Sequence, residues 1–145
     1  MIKVNVVCVG KIKEEFYRQA VAEYSKRLSR FCTFSVVELP ECRTLAEEGE
    51  KILRAAKGYK IALCIEGRKL SSENLANEIK SLCDRGEEIT FIIGSSCGLD
   101  GAVKEACDLK LSFSDMTFPH QLMRVILAEQ IYRAFMINSG SDYHK

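Results

Sequence analysis

Apolar residues follow two rhythms along this chain. From Ile2 to Val9 they are nearly continuous and rich in β-branched types, and Gly10 ends the run; from Glu14 to Ser29 the apolar positions Phe16, Ala20, Tyr24 and Leu28 recur every fourth residue. The first rhythm predicts a buried strand, the second an amphipathic helix. The alternation then repeats. Thr33 to Leu39 predicts a strand closed by Pro40, and Thr44 with Glu47 forms a capping box ahead of a helix ending near Gly58. Lys60 to Glu66, Ile89 to Ile93 and Leu109 to Phe113 predict three further strands, with helices over Ser72 to Arg85 and Leu99 to Cys107 between them. Pro119 opens a last helix to about Asn138. Strands alternating with helices, some apolar throughout, predict an α/β domain whose mostly parallel sheet is covered on both faces. No linker or repeat divides residues 1–145, so a single domain is expected.

The last helix departs from the ordinary amphipathic pattern. Leu122, Met123, Val125, Ile126, Leu127, Ala128, Ile131, Ala134, Phe135 and Ile137 cover nearly its whole circumference, whereas one sheet buries a single stripe. In so small a domain the available second apolar surface is another copy of the chain, which predicts a homodimer through this helix. A central helix wrapped by its own domain is the alternative. Arg124, polar among apolar neighbours, must meet a carboxylate, a carbonyl or a ligand if buried. Glu129 and Arg133 are spaced to pair on an exposed face.

Composition narrows the class. With 145 residues, 47% hydrophobic and 28% charged, the chain is not disordered and builds a core without staples. The 21 basic and 20 acidic residues give a net charge of +1, which excludes nucleic-acid binding driven by overall charge. The distribution is uneven, however: residues 1–60 carry 12 basic and 8 acidic side chains, residues 61–145 carry 9 and 12. The seven cysteines form an odd set without a C-x-x-C pair, reading as reduced thiols without zinc spacing. The opening apolar run is too short for a signal peptide, and no run approaches the roughly 20 residues of a bilayer span. A cytoplasmic protein with no membrane partner and no metal is expected.

Ligands of open α/β sheets bind beyond the carboxyl ends of strands. The loops there read Gly67-Arg68-Lys69, Gly94-Ser95-Ser96-Cys97-Gly98-Leu99 and Ser112-Phe113-Ser114-Asp115-Met116-Thr117-Phe118-Pro119-His120. The middle loop offers close backbone approach with a helix N-terminus facing the ligand, but it lacks the ending of a P-loop. In the third loop, hydroxyls and a carboxylate alternate with Phe113, Met116 and Phe118, a lining suited to an adenine or a thioether chain. It also reads as a turn with caps, Thr117 near the N-cap and Pro119 at the first helical position. His120, in the first helical turn, is expected to be neutral. The tail Asp142-Tyr143-His144-Lys145 is either frayed or a group that reaches a neighbouring active site.

With these residues in view, the sequence resembles the RlmH family, SPOUT-class methyltransferases acting on N3 of a pseudouridine in large-subunit (23S) ribosomal RNA. The resemblance spans the chain: Val9-Gly10-Lys11, Glu23-Tyr24 with Lys26-Arg27-Leu28, Ile92-Ile93-Gly94 through Gly98-Leu99, Leu111-Ser112-Phe113-Ser114 into Met116-Thr117-Phe118-Pro119-His120-Gln121, Glu129-Gln130 with Tyr132-Arg133-Ala134, and Tyr143-His144-Lys145. It implies a deep C-terminal trefoil knot, which a pattern reading alone would reject. It also implies S-adenosylmethionine held by Leu63, Gly94, Phe113, Ser114, Asp115, Met116, Thr117 and Phe118, and a dimer whose partner tail completes the site, with His144 and Tyr143 as candidate catalytic residues. Substrate would be 23S rRNA within a ribosome or large subunit, met by Lys11, Lys13, Arg18, Lys26, Arg27, Arg30 and Arg133. Two departures stand out: Gly94-Ser95 replaces a common Gly-Gly, and the connection from Glu41 to Gly58 is short. The rival readings are an RNA-binding assembly factor that keeps the fold without the activity, and a methyltransferase with another target base.

Overall fold

The structure, a computed structural model, describes residues 1–144. Its elements in chain order are β1 (Lys3–Val9), α1 (Glu15–Leu28), β2 (Thr33–Leu39), α2 (Leu45–Ala55), β3 (Tyr59–Lys69), α3 (Ser72–Asp84), β4 (Ile89–Ile93), α4 (Gly101–Ala106), β5 (Leu109–Ser112) and α5 (His120–Asn138). The five strands form one sheet in the order β2-β1-β4-β3-β5, and every ladder between them is parallel. The period of two along β1 explains the layering. Val4, Val6 and Cys8 face a core shared with α1, α3 and α5, while Val7 and Val9 face a smaller one shared with α2 and α4. Burial pushes the Cys8 thiol up to about 11 and the Cys32 thiol to about 12, so both pack as small hydrophobes. Thr44 accepts from the Glu47 amide, as the capping box predicts.

The strand that departs most from its expected bounds is β3. It runs to Lys69, but its ladder with β5 breaks after Leu63 and resumes at Arg68, both residues lying opposite Leu111. Residues 64–67 therefore bulge out of the sheet. Gly67 permits the return, because a Cβ there would lie 2.8 Å from the Leu111 amide nitrogen.

The last helix begins one position later than expected. Pro119 is its N-cap, with φ −54 and ψ 135, and Thr117 lies in the preceding loop. Leu127, Ile131, Ala134 and Phe135 are buried in the larger core with Ile137 packed at its edge, while Leu122, Val125 and Ile126 on the other flank are only half-buried. Arg124 meets its requirement within the chain: at 2% exposure it donates to the Glu38 carboxylate at 2.9 Å and to the Val9 carbonyl at 2.8 Å. Glu38 also accepts from the Ile12 amide at 2.9 Å, so one buried cation ties the start of α5 to the carboxyl ends of β1 and β2.

Candidate cofactor cleft and active site

A cleft of about 650 Å³ opens at the carboxyl ends of β3, β4 and β5. Three segments wall it: the β3 bulge, the turn after β4, and the loop from β5 into the first turn of α5. Of the residues expected to hold a cofactor, Leu63, Gly94, Phe113, Ser114, Met116, Thr117 and Phe118 come together on its lining. Asp115 does not. The Ser114 hydroxyl accepts from the Met116 amide at 3.0 Å and the Ser114 carbonyl from the Ser112 hydroxyl at 3.1 Å, and this tight turn directs Asp115 outward. There it pairs with Lys69 at 2.6 Å.

Gly94 is buried at the base of the cleft, where a Cβ would lie 2.4 Å from the Gly98 carbonyl oxygen. The Gly98 amide donates to the Ser95 carbonyl at 2.9 Å, and Gly98 has φ +88. Among the described residues every one with positive φ is a glycine, so Ser95 occupies ordinary backbone and its side chain carries no strain there. The expected helix N-terminus is absent from the wall: α4 starts at Gly101, the lining of this turn ends at Leu99, and only Lys104 reaches the cleft from α4.

Sequence reasoning missed part of the wall. Cys64, Ile65 and Glu66 line it because of the bulge, which no local pattern announces except the glycine that closes it. Glu66 and Lys104 form a hydrogen-bonded ion pair at the rim, which holds the Glu66 carboxyl below and the Lys104 ammonium above their ordinary ranges. His120 and Met123 complete the lining from α5. The expected neutrality of His120 has a different main cause from the helix terminus: burial, then the positive charge of Arg124, lowers its pKa.

Tyr143 and His144 lie outside this cleft, and Lys145 lies outside the described residues. The Tyr143 hydroxyl donates to Glu129 at 3.0 Å, its ring meets Tyr132 edge-on at 5.1 Å, and the Arg133 guanidinium lies 5.0 Å from its centroid. Burial and the Glu129 carboxylate raise the Tyr143 pKa. His144 bridges Arg133 through Nδ1 and Glu73 through Nε2, each at 3.0 Å. Because guanidinium only donates and carboxylate only accepts, Nδ1 is the acceptor and Nε2 carries the proton to Glu73. The Glu129–Arg133 pair is consequently half-buried under the tail instead of exposed, at 3.0 Å.

The basic residues fall into two groups. Lys11 and Lys13 are exposed with no acidic partner among the described residues, and the Lys13 amide donates to Gln121 at 3.0 Å, which sets their loop beside the start of α5. Arg18 holds that loop in shape through Glu15 and the Ile12 carbonyl, both at 2.9 Å. Arg27 pairs with Glu23 at 2.8 Å and lies 5.3 Å from the Tyr24 ring centroid; Arg30 lies over Phe31, and Lys26 is exposed.

Comparison with known proteins identifies the family. The family model described as "Predicted SPOUT methyltransferase" matches residues 2–144. The ribosomal RNA large subunit methyltransferase H of Levilactobacillus brevis is 50% identical over 159 residues, covering 99% of this chain and 100% of that protein. Its counterpart in Bifidobacterium adolescentis is 48% identical with the same coverage. These 159-position alignments against a 145-residue chain mean that the relatives carry residues absent here. The solved "probable methylase family protein" of Haemophilus influenzae shares the fold, with a TM-score of 0.64 at 12% identity over 100% of this chain and 72% of that one. A full-length family match, relatives near 50% identity and a cleft at the strand ends place this chain in the SPOUT methyltransferase family, among the ribosomal RNA large subunit methyltransferase H enzymes.

Proposed function

We propose that this enzyme uses S-adenosylmethionine to methylate N3 of a pseudouridine in large-subunit (23S) ribosomal RNA, working in the cytoplasm as a homodimer on an assembled ribosome or subunit. The observation that carries the reading is the cleft itself. Its volume of about 650 Å³ suits a small-molecule ligand, and apolar side chains of Phe113, Met116 and Phe118 alternate in it with the hydroxyls of Ser114 and Thr117. That chemistry fits a nucleoside joined to a thioether chain. Leu63, Gly94 and the loop from Phe113 to Phe118 would hold the cofactor, with Asp115 supporting the loop from outside through Lys69. When bound, S-adenosylmethionine supplies an electrophilic methyl group on a sulfonium sulfur.

The protein's own contribution is alignment and proton handling. A neutral His120 at the cleft offers hydrogen bonding without repelling a sulfonium cation. N3 of the acceptor must lose its proton, and the tail provides His144 as acceptor or orienter with Tyr143 beside it. In its own chain this tail is held on α5 and α3, outside the cleft. Pairing two chains through the half-buried apolar flank of α5 would bring one tail to the other subunit's cleft. The SPOUT class implies that β5 and α5 belong to a trefoil knot, which would keep the third loop rigid. Lys11 and Lys13, beside the start of α5, would meet RNA phosphates. A single small domain has little surface for base readout, so a shaped substrate supplies the specificity.

Calorimetric titration with S-adenosylmethionine, followed by methylation of large subunits and mapping of the methyl group, tests the proposal. The expected result is binding in the micromolar range, abolished by Thr117→Arg, with the methyl on N3 of one pseudouridine. Binding without transfer to any ribosomal substrate would refute it.

A further inference from the structure

A second cavity, of about 230 Å³, adjoins the cleft and shares Leu111, Phe113 and Phe118 with it. Its other side is formed by α3, its N-cap and α5, with Ser71, Ser72 and Gln130 as polar groups; the Ser71 hydroxyl caps α3 by accepting from the Asn74 amide. The Ser72 hydroxyl donates to Gln130 Oε1 at 2.6 Å, and Gln130 Nε2 donates to Glu129 at 3.1 Å. A carboxylate accepts only, so the Gln130 NH₂ must face Glu129 and the amide cannot flip; Oε1 retains one further lone pair. Gln130 and Ser72 each adjoin a residue that holds the tail, Gln130 next to Glu129 with Tyr143 and Ser72 next to Glu73 with His144. The cavity thus shares a wall with the cleft and reaches the tail's anchor Glu129 through the Gln130 hydrogen bond. At about 30 Å³ per water-sized group it has room for roughly eight such groups, and a pyrimidine base has eight heavy atoms.

We propose that this cavity receives the acceptor base and that Gln130 Oε1 accepts the ring N1–H of pseudouridine. The inference rests on the function proposed above. Pseudouridine carries this donor where uridine, joined to its ribose through nitrogen, presents a C–H. A site with an acceptor fixed in place therefore separates the two isomers by a hydrogen bond that only one of them makes.

The test is single-turnover methylation of two probes, large subunits reconstituted with pseudouridine-containing RNA and with an unmodified transcript carrying uridine at the same position. Wild-type protein is expected to favour the first by about tenfold or more, the worth of one such hydrogen bond. Gln130→Met, similar in volume but without the acceptor, is expected to lose that preference through a slower reaction on pseudouridine alone, with unchanged S-adenosylmethionine affinity. A variant that keeps the wild-type preference, or loses rate equally on both probes, would overturn the assignment and make Gln130 a structural anchor. Wild-type protein that binds the cofactor but methylates neither probe would overturn the underlying activity, and the assignment with it.

Discussion

Gly94 and Ser95 are neighbours with opposite demands. A side chain on Gly94 would drive into the Gly98 carbonyl at 2.4 Å, a backbone contact that no rotamer relieves. Ser95 has an ordinary φ, and its hydroxyl accepts from the Cys97 amide at 3.3 Å. Gly94→Ala is therefore expected to weaken S-adenosylmethionine binding by about tenfold or more, since opening the turn displaces the base of the cleft by a few tenths of an ångström or greater. Ser95→Gly is expected to leave affinity within about twofold, because it relieves no strain. Calorimetry on both proteins, with circular dichroism to confirm folding, checks the contrast; equal losses would mean that the turn is limited by something other than its backbone.

Among the elements, α5 carries the most roles. Its first turn supplies His120 and Met123 to the cleft, its middle fills the larger core, and its second half holds the tail through Glu129 and Arg133. Arg124 sets its position by joining Glu38 and the Val9 carbonyl, although its Nε has no partner among the described residues. Arg124→Met is expected to destabilise the fold by about 2 kcal/mol, the scale of a charge-assisted hydrogen bond lost and a buried carbonyl left unpaired, tempered because Glu38 stays partly hydrated. Arg124→Lys is expected to recover little of this, since one ammonium does not reproduce the fork that serves two acceptors. Urea unfolding with an unchanged m-value is the measurement, and a shift below about 0.5 kcal/mol would show that the apolar packing of α5 suffices.

For the whole molecule the question is where each tail acts. One chain seats its own half-buried tail against α5 and α3, outside its own cleft, so in the proposed homodimer a tail that serves catalysis does so in the partner's site. Mixing a chain carrying Thr117→Arg with one carrying His144→Ala is expected to restore activity that neither has alone, to roughly a quarter of wild type by random pairing in a two-fold dimer. No recovery from dimers verified by sedimentation would mean that tail and cleft belong to the same chain. Much of the architecture is legible without coordinates, and particular residues show why. The run Ile89 to Ile93 and the fourfold spacing from Phe16 to Leu28 are local periodicities, and local periodicity follows from backbone geometry alone. The third loop is legible for the same reason, because its residue types and their alternation form one continuous stretch that lines one cleft. The β3 bulge, the outward turn of Asp115, the ion pair of Glu66 with Lys104 and the seat of His144 on Glu73 are not legible, since each joins segments far apart in the chain or depends on which face of a turn meets solvent. By itself the sequence determined the strands, the helices, their alternation and the loop that makes most of the cofactor cleft; the tertiary structure alone decided which distant charges meet, where the tail rests and that a second cavity adjoins the first, because these depend on through-space contacts that no local spacing encodes.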